Sequence, residues 1–312
     1  MENRLVVLLG PTAVGKTEVA IQLAESLHSP IINADSRQIY RHIPIGTAAP
    51  TAEQLQRVHH YFVGALELEE YYSAAEYEHQ VLALLDTLFR QHHDIVLSGG
   101  SMLYIDAVCN GIDDIPTIDS ETRQTLKERL AAEGLDTLLA ELRLLDPDYY
   151  AKVDRRNTRR VVHALEVCYQ SGRPYSSFLS RQANPANSLE AEKPQDVCTP
   201  RPFSIIKIGL NRPRPELFAR INQRVDQMLQ LGFEHEARTL YPLRHLNSLN
   251  TVGYKEMFRY IAGEWTLQQA VEKIKRNTRV YAKKQLTWFM RDPSVRWFHP
   301  DDIASIQEYL LS

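Results

Sequence analysis

A glycine loop near the N-terminus is the first segment whose residue types and spacing point to chemistry. Gly10-Pro11-Thr12-Ala13-Val14-Gly15-Lys16-Thr17 matches the pattern G-x-x-x-x-G-K-[ST] in full. The glycines let successive backbone N–H groups turn towards phosphate oxygens at a helix N-terminus. Lys16 supplies a point charge to those phosphates, and the Thr17 hydroxyl can ligate Mg²⁺. Because an apolar run precedes the loop and an amphipathic pattern follows it, the match predicts a phosphate-binding loop and not a chance glycine turn.

The group carried by the bound phosphates is left open by this loop, which recognises a diphosphate or triphosphate alone. Motor-type ATPases add an aspartate at the end of a later apolar strand, to hold magnesium. Here Ser98-Gly99-Gly100 follows the apolar run that ends at Leu97, which weakens an ATPase interpretation without excluding it. The obvious acid is Asp35, at the tip of a neighbouring apolar run. It is either a plain loop aspartate or a base that takes a proton from an incoming nucleophile.

The elements that must position these residues alternate between strand and helix patterns. We predict strands at 5–9, 30–35 and 95–97, with helices after the glycine loop and around 81–89. Such alternation implies a parallel sheet with right-handed crossovers, in which ligands gather at the carboxyl ends of the strands. Gly10, Asp35 and Ser98 all follow such ends, so we expect one shared site.

The pattern changes near Pro116. Residues 119–172 are helical with no strand candidate, 181–202 resemble an exposed loop rich in Asn, Pro, Ser and Glu, and 203–210 read as a strand returning to the sheet. Helices are expected from Pro215 to the C-terminus. The predicted fold is therefore α/β: a P-loop NTPase-like, nucleotide-kinase-like parallel sheet at 1–115 and 201–312. A helical insertion occupies 116–200, and the C-terminal part is helical.

Composition restricts the class of protein further. The 312 residues are 44% hydrophobic and 24% charged, as in a globular protein of roughly two domains with a real core. No apolar run approaches the ~20 residues that a membrane span needs, and the N-terminus lacks a signal-peptide pattern. Three widely separated cysteines indicate reduced thiols. We therefore expect a cytoplasmic protein with no membrane association. A monomer is a separate expectation, since the sequence leaves the oligomeric state open.

Positive charge is segregated, although the formal net charge is -3. The stretch from Lys273 to Lys284 holds six basic residues and no acidic one, while acids concentrate at 67–78 and 113–121. Each basic run alone could be a solvated helix face, but the segregation favours a groove that binds nucleic-acid phosphates. The residues concerned are Arg276, Arg279 and Lys283, at helical spacing, and Arg155, Arg156, Arg159 and Arg160. Three tyrosines, Tyr40, Tyr104 and Tyr254, are either half-buried core residues or platforms that stack on splayed bases.

Several ordered blocks resemble those of the tRNA dimethylallyltransferases, also called tRNA isopentenylpyrophosphate transferases, in their shorter bacterial form. The blocks lie at residues 10–17, 35–40, 99–104, 157–167, 220–229, 251–256 and 278–288. The glycine loop alone is shared by many enzymes, whereas the whole ordered set is specific. Two positions depart from the family pattern: Ser101 stands where threonine is usual, and His163 where arginine is usual.

The resemblance implies that the loop binds the diphosphate of dimethylallyl diphosphate, with Mg²⁺, rather than ATP. It implies that Asp35 is the general base for the exocyclic N6 amine of the adenosine 3′-adjacent to a tRNA anticodon. Thr17 and Arg214 would lie near the leaving diphosphate, with Arg212 as the other candidate arginine. Positions implied to contact tRNA are Asp35, Ser36, Arg37, Gln38, Ser101, Arg123, Arg159, Arg160, Val161, Val162, His163, Asn250, Thr251, Val252, Gly253, Tyr254 and Lys255. The charge pattern adds Arg276, Arg279 and Lys283.

Two other functions fit part of the sequence. A P-loop small-molecule kinase would use Asp35 to orient a hydroxyl and the insertion as a lid, but it leaves the basic C-terminal helix without a purpose. A noncatalytic RNA-binding protein with a nucleotide switch leaves Asp35 and the Lys16-Thr17 pair without a chemical role.

Overall fold

The computed structural model describes residues 2–113, 115–116, 118–179 and 201–311, which fall into two compact units. The first unit lies within Met1–Asn110 and Pro200–Ser312, and the second within Gly111–Thr199. Of the loop expected at 181–202, all but Arg201 and Pro202 lies outside the described residues.

A six-stranded sheet, with every pair of neighbouring strands parallel, forms the centre of the first unit and confirms the predicted α/β class. The strand order is β3-β2-β4-β1-β5-β6. The bounds are β1 Arg4–Leu9, β2 Ile31–Ala34, β3 His60–Tyr61, β4 Asp94–Gly99, β5 Ser204–Leu210 and β6 Arg296–Phe298. The expectation of helices alone after Pro215 was wrong, because β6 lies in that region and pairs with β5. At three residues, β6 is too short to leave a period-two pattern.

Helices cover the sheet and extend beyond it. In the first unit they are α1 Lys16–Leu27, α2 Pro44–Thr47, α3 Ala52–Arg57, α4 Ala74–Leu88, α5 Met102–Asn110, α10 Arg214–Gln230, α11 Phe233–Leu240, α12 Tyr254–Ile261, α13 Leu267–Phe289 and α14 Ile303–Leu311. The longest, α13, starts at a capping box in which Thr266 and Gln269 bond each other's backbone N–H groups. No helix among the described residues is both long enough and apolar enough to cross a membrane.

Alternating side chains of β1 fill two cores. Leu5, Val7 and Leu9 pack on one face with α4 and α5, whereas Val6 and Leu8 pack on the other with α1, α10 and α14. Because both faces are covered, the strand reads as an uninterrupted apolar run. Each such side chain contributes roughly 1.5–3 kcal/mol by its burial.

The strand register brings the carboxyl ends of three strands to one edge of the sheet. Leu9 pairs with Gly99, and Ala34 pairs with the same glycine. A Cβ on Gly99 would lie 2.1 Å from the Ala34 carbonyl oxygen, so only glycine permits this approach. The loops that follow, at Gly10, Asp35 and Gly100, therefore begin side by side.

A third core lies among α10, α11, α12 and α13 and takes up two of the three tyrosines considered for base stacking. Tyr254 is 0% exposed and Tyr40 is 7% exposed. Tyr104 is 6% exposed and belongs to the core between β1 and the helices α4 and α5. It stacks there on Tyr77, with ring centroids 4.3 Å apart. The stacking alternative was wrong for all three, since buried rings offer no face to a base.

The second unit is helical. Its helices are α6 Ser120–Glu133, α7 Leu135–Leu145, α8 Pro147–Lys152 and α9 Thr158–Ser171, around a core that includes Leu126, Leu138, Leu142, Val161 and Leu165. The fully buried Asp146 carboxylate accepts hydrogen bonds from the Tyr149 N–H and from Ser176, so it caps α8 and anchors the chain after α9.

Candidate active site

The glycine loop has the backbone geometry of an anion cradle. Gly10 and Gly15 have φ values of 153° and 115°, in the region that favours glycine. A Cβ on Gly10 would lie 2.6 Å from the Leu210 carbonyl oxygen, so the loop packs directly on the end of β5. Gly15 caps α1 without a side-chain hydrogen bond, and the first N–H groups of the helix are left for an anion.

The Lys16 side chain is hydrogen-bonded to the backbone of the glycine loop. Its Nζ donates to the carbonyl oxygens of Gly10 at 3.0 Å and Pro11 at 2.9 Å. Burial lowers the pKa of this ammonium group to about 8, against the attraction of Asp35 and with the repulsion of Arg224. The site therefore holds a cation that a diphosphate would stabilise.

Asp35 follows β2 and is fixed by its own loop. Its Oδ1 accepts the backbone N–H groups of Arg37 at 2.9 Å and Gln38 at 3.3 Å, in an Asx turn. The charges of Lys16 and Arg224 both interact with this carboxylate. The structure thus brings the phosphate loop and the candidate base into one electrostatic site.

Three arginines that lie about 200 residues later in the sequence contact the glycine loop. Arg212 Nε donates to the Val14 carbonyl at 2.9 Å, and Arg220 Nε donates to the Ala13 carbonyl at 3.0 Å. Arg224 Nη1 donates to Thr12 Oγ1 at 3.1 Å, and its other nitrogen donates to the Thr47 carbonyl.

Arg224 differs from the other two because it also faces the charged centre. Burial lowers the pKa of its guanidinium, and the Asp35 carboxylate opposes that shift. Sequence reasoning placed no role on it. The signal was available, since Arg220 and Arg224 lie four residues apart within a block that resembles the family.

Arg212 and Arg214, the two candidates for contact with the leaving diphosphate, differ in exposure. Arg212 is 9% exposed and also bonds Asp301 and Glu216, so its guanidinium serves to hold the loop. Arg214 is exposed at the start of α10 and lines a cavity of about 550 Å³. Other residues lining that cavity are Leu217, Phe218, Lys283, Leu286 and Met290.

Tyr281 of α13 is a further residue that sequence reasoning did not assign. Burial, strengthened by the nearby Asp35 charge and opposed by Arg37, raises the pKa of its hydroxyl to about 12. Its side chain is nevertheless 37% exposed, which places it at the rim of the site.

A magnesium ion would find a suitable hydroxyl in Thr17. This residue lies in the first turn of α1, and its side chain has no hydrogen-bond partner within the described part of the chain. Mg²⁺ is commonly bound by one or two protein oxygens plus substrate phosphates and water, which fits such a position. Elsewhere, Glu216, His299 and Asp301 have ligand atoms within 4.8 Å of one another. Arg212 already pairs with both carboxylates, so that cluster is an ion-pair network.

Several residues expected to contact tRNA are bonded within the protein. Arg37 donates to the carbonyl oxygens of Asn247 and Ser248, and Gln38 donates to those of Thr47 and Ala48. The Ser101 hydroxyl accepts the Ser36 N–H at 2.7 Å. These side chains shape the loop around Asp35. In the segment 250–255, Asn250 and Lys255 are exposed, Thr251 and Val252 are half-buried, and Gly253 and Tyr254 are buried.

The basic face of α13 packs in part against α10, since Arg279 and Lys283 both lie over the Phe218 ring. Arg276 and Lys283 are exposed, whereas Arg279 is half-buried and donates to Asn222 Oδ1 at 2.6 Å. In the second unit, Arg159, Arg160 and His163 are exposed, Arg123 and Val162 are half-buried, and Val161 lies in the core. That unit also has a groove of about 850 Å³ lined by Arg143, Arg155 and Arg156 together with Leu144 and Tyr150.

Comparison with known proteins gives a consistent picture. The family model described as IPP transferase matches residues 38–292. The chain is 57% identical to tRNA dimethylallyltransferase 1 of Phocaeicola vulgatus over 312 residues, which cover 100% of this chain and 99% of that protein. It is 56% identical over 306 residues to the protein of that name in Bacteroides fragilis, covering 98% and 97%.

Solved structures agree. The full-length tRNA isopentenylpyrophosphate transferase of Bacillus halodurans is 33% identical, with a TM-score of 0.69 and coverage of 99% of this chain and 96% of that one. A eukaryotic dimethylallyltransferase acting on tRNA has a TM-score of 0.76, with coverage of 97% and 75%. At 23% identity, that likeness supports the fold alone. The family match and the full-length identity together show that the chain belongs to the IPP transferases, the family of tRNA dimethylallyltransferases, which are prenyl-transferring enzymes.

Proposed function

We propose that the chain transfers the dimethylallyl group from dimethylallyl diphosphate to the N6 amine of the adenosine 3′-adjacent to a tRNA anticodon. The observation that carries the proposal is the single site at the carboxyl edge of the sheet. There the phosphate loop, the Lys16 ammonium and the Asp35 carboxylate interact electrostatically. A transfer from a diphosphate to an amine needs an anion site and a base together.

The bond changes assign a task to each group. The allylic C–O bond breaks and its electron pair leaves with the diphosphate, while the N6 nitrogen forms the new C–N bond and loses one proton. Lys16, Arg224 and the N–H groups at the start of α1 stabilise the negative charge that develops on the leaving group. Asp35 accepts the proton. Arg214 remains a proposed second contact to the diphosphate.

Mg²⁺ is proposed as the cofactor, with the Thr17 hydroxyl as its protein ligand. When bound, the ion would neutralise phosphate charge and make the diphosphate a better leaving group. The chain's own residues then orient the two substrates and remove the proton.

The acceptor is proposed to lie along exposed basic residues. In the first unit these are Arg276 and Lys283 of α13, to which the half-buried Arg279 is added, and in the second unit Arg159 and Arg160. Contacts of this kind position the phosphate backbone. The target base must leave its stack to reach Asp35, at a cost of a few kcal/mol.

The proposal is tested by supplying labelled dimethylallyl diphosphate and an unmodified anticodon stem-loop RNA, with and without Mg²⁺. We expect magnesium-dependent label on the adenosine 3′ to the anticodon, located by nuclease digestion and mass spectrometry. An otherwise identical stem-loop with guanosine at that position is the matched control and should remain unlabelled. Label on both RNAs, or on neither, would contradict the proposal.

A further inference from the structure

A buried glutamine lies between the phosphate loop and the end of β4. Gln285 is 2% exposed and belongs to the buried face of α13, with Ala282 three residues before it and Phe289 four residues after it. A polar side chain in such a stripe must satisfy its hydrogen-bonding groups within the protein.

The amide of Gln285 bonds the two loops at once. Its Oε1 accepts the Thr12 N–H at 2.9 Å, and its Nε2 donates to the Gly100 carbonyl at 2.8 Å. An amide has the acceptor and the donor that this arrangement needs. A carboxylate would lack the donor, an ammonium group would lack the acceptor, and a thioether would lack the donor and accept only weakly.

Each loop leads directly to one of the chemical groups of the site. On the β1 side, Thr12 follows the carbonyls of Gly10 and Pro11, which hold Lys16. On the β4 side, Gly100 precedes Ser101, whose hydroxyl accepts the Ser36 N–H next to Asp35. The path from the amide to either group is therefore short, and it consists of hydrogen bonds joined by residues adjacent in sequence.

Glycine at position 100 is what allows this contact. A Cβ there would lie 2.6 Å from Gln285 Nε2 and 3.6 Å from Lys16 Nζ. The amide and the ammonium group thus approach the same small residue from two elements, α13 and α1.

We propose that Gln285 is a positioning residue, which fixes the loop that binds the diphosphate against the end of β4 and, through Ser101 and Ser36, against the loop that carries the base. This inference rests on the proposed function, because it concerns the alignment of those two groups during transfer. Productive alignment in active sites tolerates only about 0.5 Å, so loss of a bond that joins two loops would slow the reaction.

The first test is Gln285→Met, which keeps the length and burial of the side chain while removing the donor and weakening the acceptor. The matched control is Gln268→Met, an exposed glutamine in the first turn of the same helix. The wild type is assayed first with labelled dimethylallyl diphosphate and tRNA, so a failure of the proposed function is seen before any variant is compared.

We expect Gln285→Met to lower kcat about tenfold to a hundredfold, the range for a buried polar group left without its partner. Its affinity for tRNA, measured by filter binding, should change less than about threefold, because the basic face of α13 is kept. Gln268→Met should match the wild type. A folded Gln285→Met protein with the wild-type kcat would overturn the proposal.

A second variant covers the case in which Gln285→Met does not fold. Gln285→Glu has the same shape, and its protonated form again presents one donor and one acceptor. The charged group near it is Lys16 of α1, since both side chains approach Gly100, and that lysine in turn interacts with Asp35 and Arg224. We expect its transfer rate, relative to wild type, to rise severalfold as the pH is lowered from about 8 to about 6. A ratio that does not change with pH would contradict a role for the hydrogen bonds.

Discussion

Replacing Asp35 by asparagine separates the charge of this residue from its place in the loop. Oδ1 of Asp35 accepts the N–H groups of Arg37 and Gln38, and an asparagine oxygen accepts the same two bonds. Asp35→Ala loses them. The pair of variants therefore distinguishes the chemistry of the carboxylate from the shape of the turn.

The size of each effect follows from these contacts. Removal of a general base lowers the rate of transfer by about 10²- to 10⁴-fold, and both variants should show this loss. Asp35→Asn should leave the free energy of unfolding within about 1 kcal/mol of wild type. Asp35→Ala should lose about 1–2 kcal/mol, since two hydrogen bonds at roughly 0.5–1.5 kcal/mol each are broken and this loop is half-buried.

Single-turnover transfer of labelled dimethylallyl to tRNA measures the rate, and chemical denaturation measures stability. Affinity for tRNA should stay within a few-fold, because Asp35 is an acid and offers nothing to a phosphate. An Asp35→Asn protein that transfers at the wild-type rate would refute the assignment of the base. A slow Asp35→Ala beside a fast Asp35→Asn would show that only the turn matters.

Three further results are expected. Burial lowers the pKa of Lys16 to about 8, and its charged form binds the diphosphate, so affinity for inorganic pyrophosphate should be higher below this pH than above it. Calorimetry should show that, above this pH, the affinity of the wild type falls more steeply than that of Lys16→Met, by a factor that approaches tenfold per pH unit. Arg224→Met should raise the KM for dimethylallyl diphosphate about tenfold or more, and more than Arg214→Met does, since Arg224 reaches the loop and Arg214 is exposed; equal KM values would contradict this ranking. Arg279→Glu should weaken tRNA binding, measured by filter binding, and flatten its salt dependence. The control Asn222→Ala removes only the hydrogen-bond acceptor of Arg279 and should keep the wild-type salt slope. Unchanged affinity of Arg279→Glu at low salt would remove α13 from the tRNA surface.

Much of the fold was predictable because its strands are buried on both faces. The runs at 5–9 and 95–97 are continuous and apolar, and they became β1 and β4. The stretch at 203–210 is interrupted by Ser204 and Lys207 but is still rich in β-branched and apolar residues, and it became β5. The two edge strands, β3 with two residues and β6 with three, were missed since so few residues carry no periodic signal. The family membership also decides between the enzyme classes, because the kinase and the noncatalytic switch do not belong to the prenyl-transferring family.

The candidate site was predictable where a local pattern encodes it. The glycine loop is a contiguous motif, and Asp35 follows a recognisable strand. Arg224 and Gln285 were missed because their relation to the loop spans some 200 residues or more of sequence and exists only after folding. The sequence does contain a signal for Gln285, because it is a polar residue within the apolar stripe of α13. A polar residue in such a position must bond within the protein and can therefore join two elements.

The most direct test of the account is the stoichiometry of diphosphate release in a single turnover with tRNA, dimethylallyl diphosphate and Mg²⁺. We predict one pyrophosphate released for each tRNA that gains a dimethylallyl group, with both yields lost together in Lys16→Met. ATP offered in place of the prenyl donor should give neither product. Hydrolysis of ATP with no prenylated tRNA from the prenyl donor, or prenylation without release of pyrophosphate, would contradict the claim that this loop holds the leaving group of a prenyl transfer.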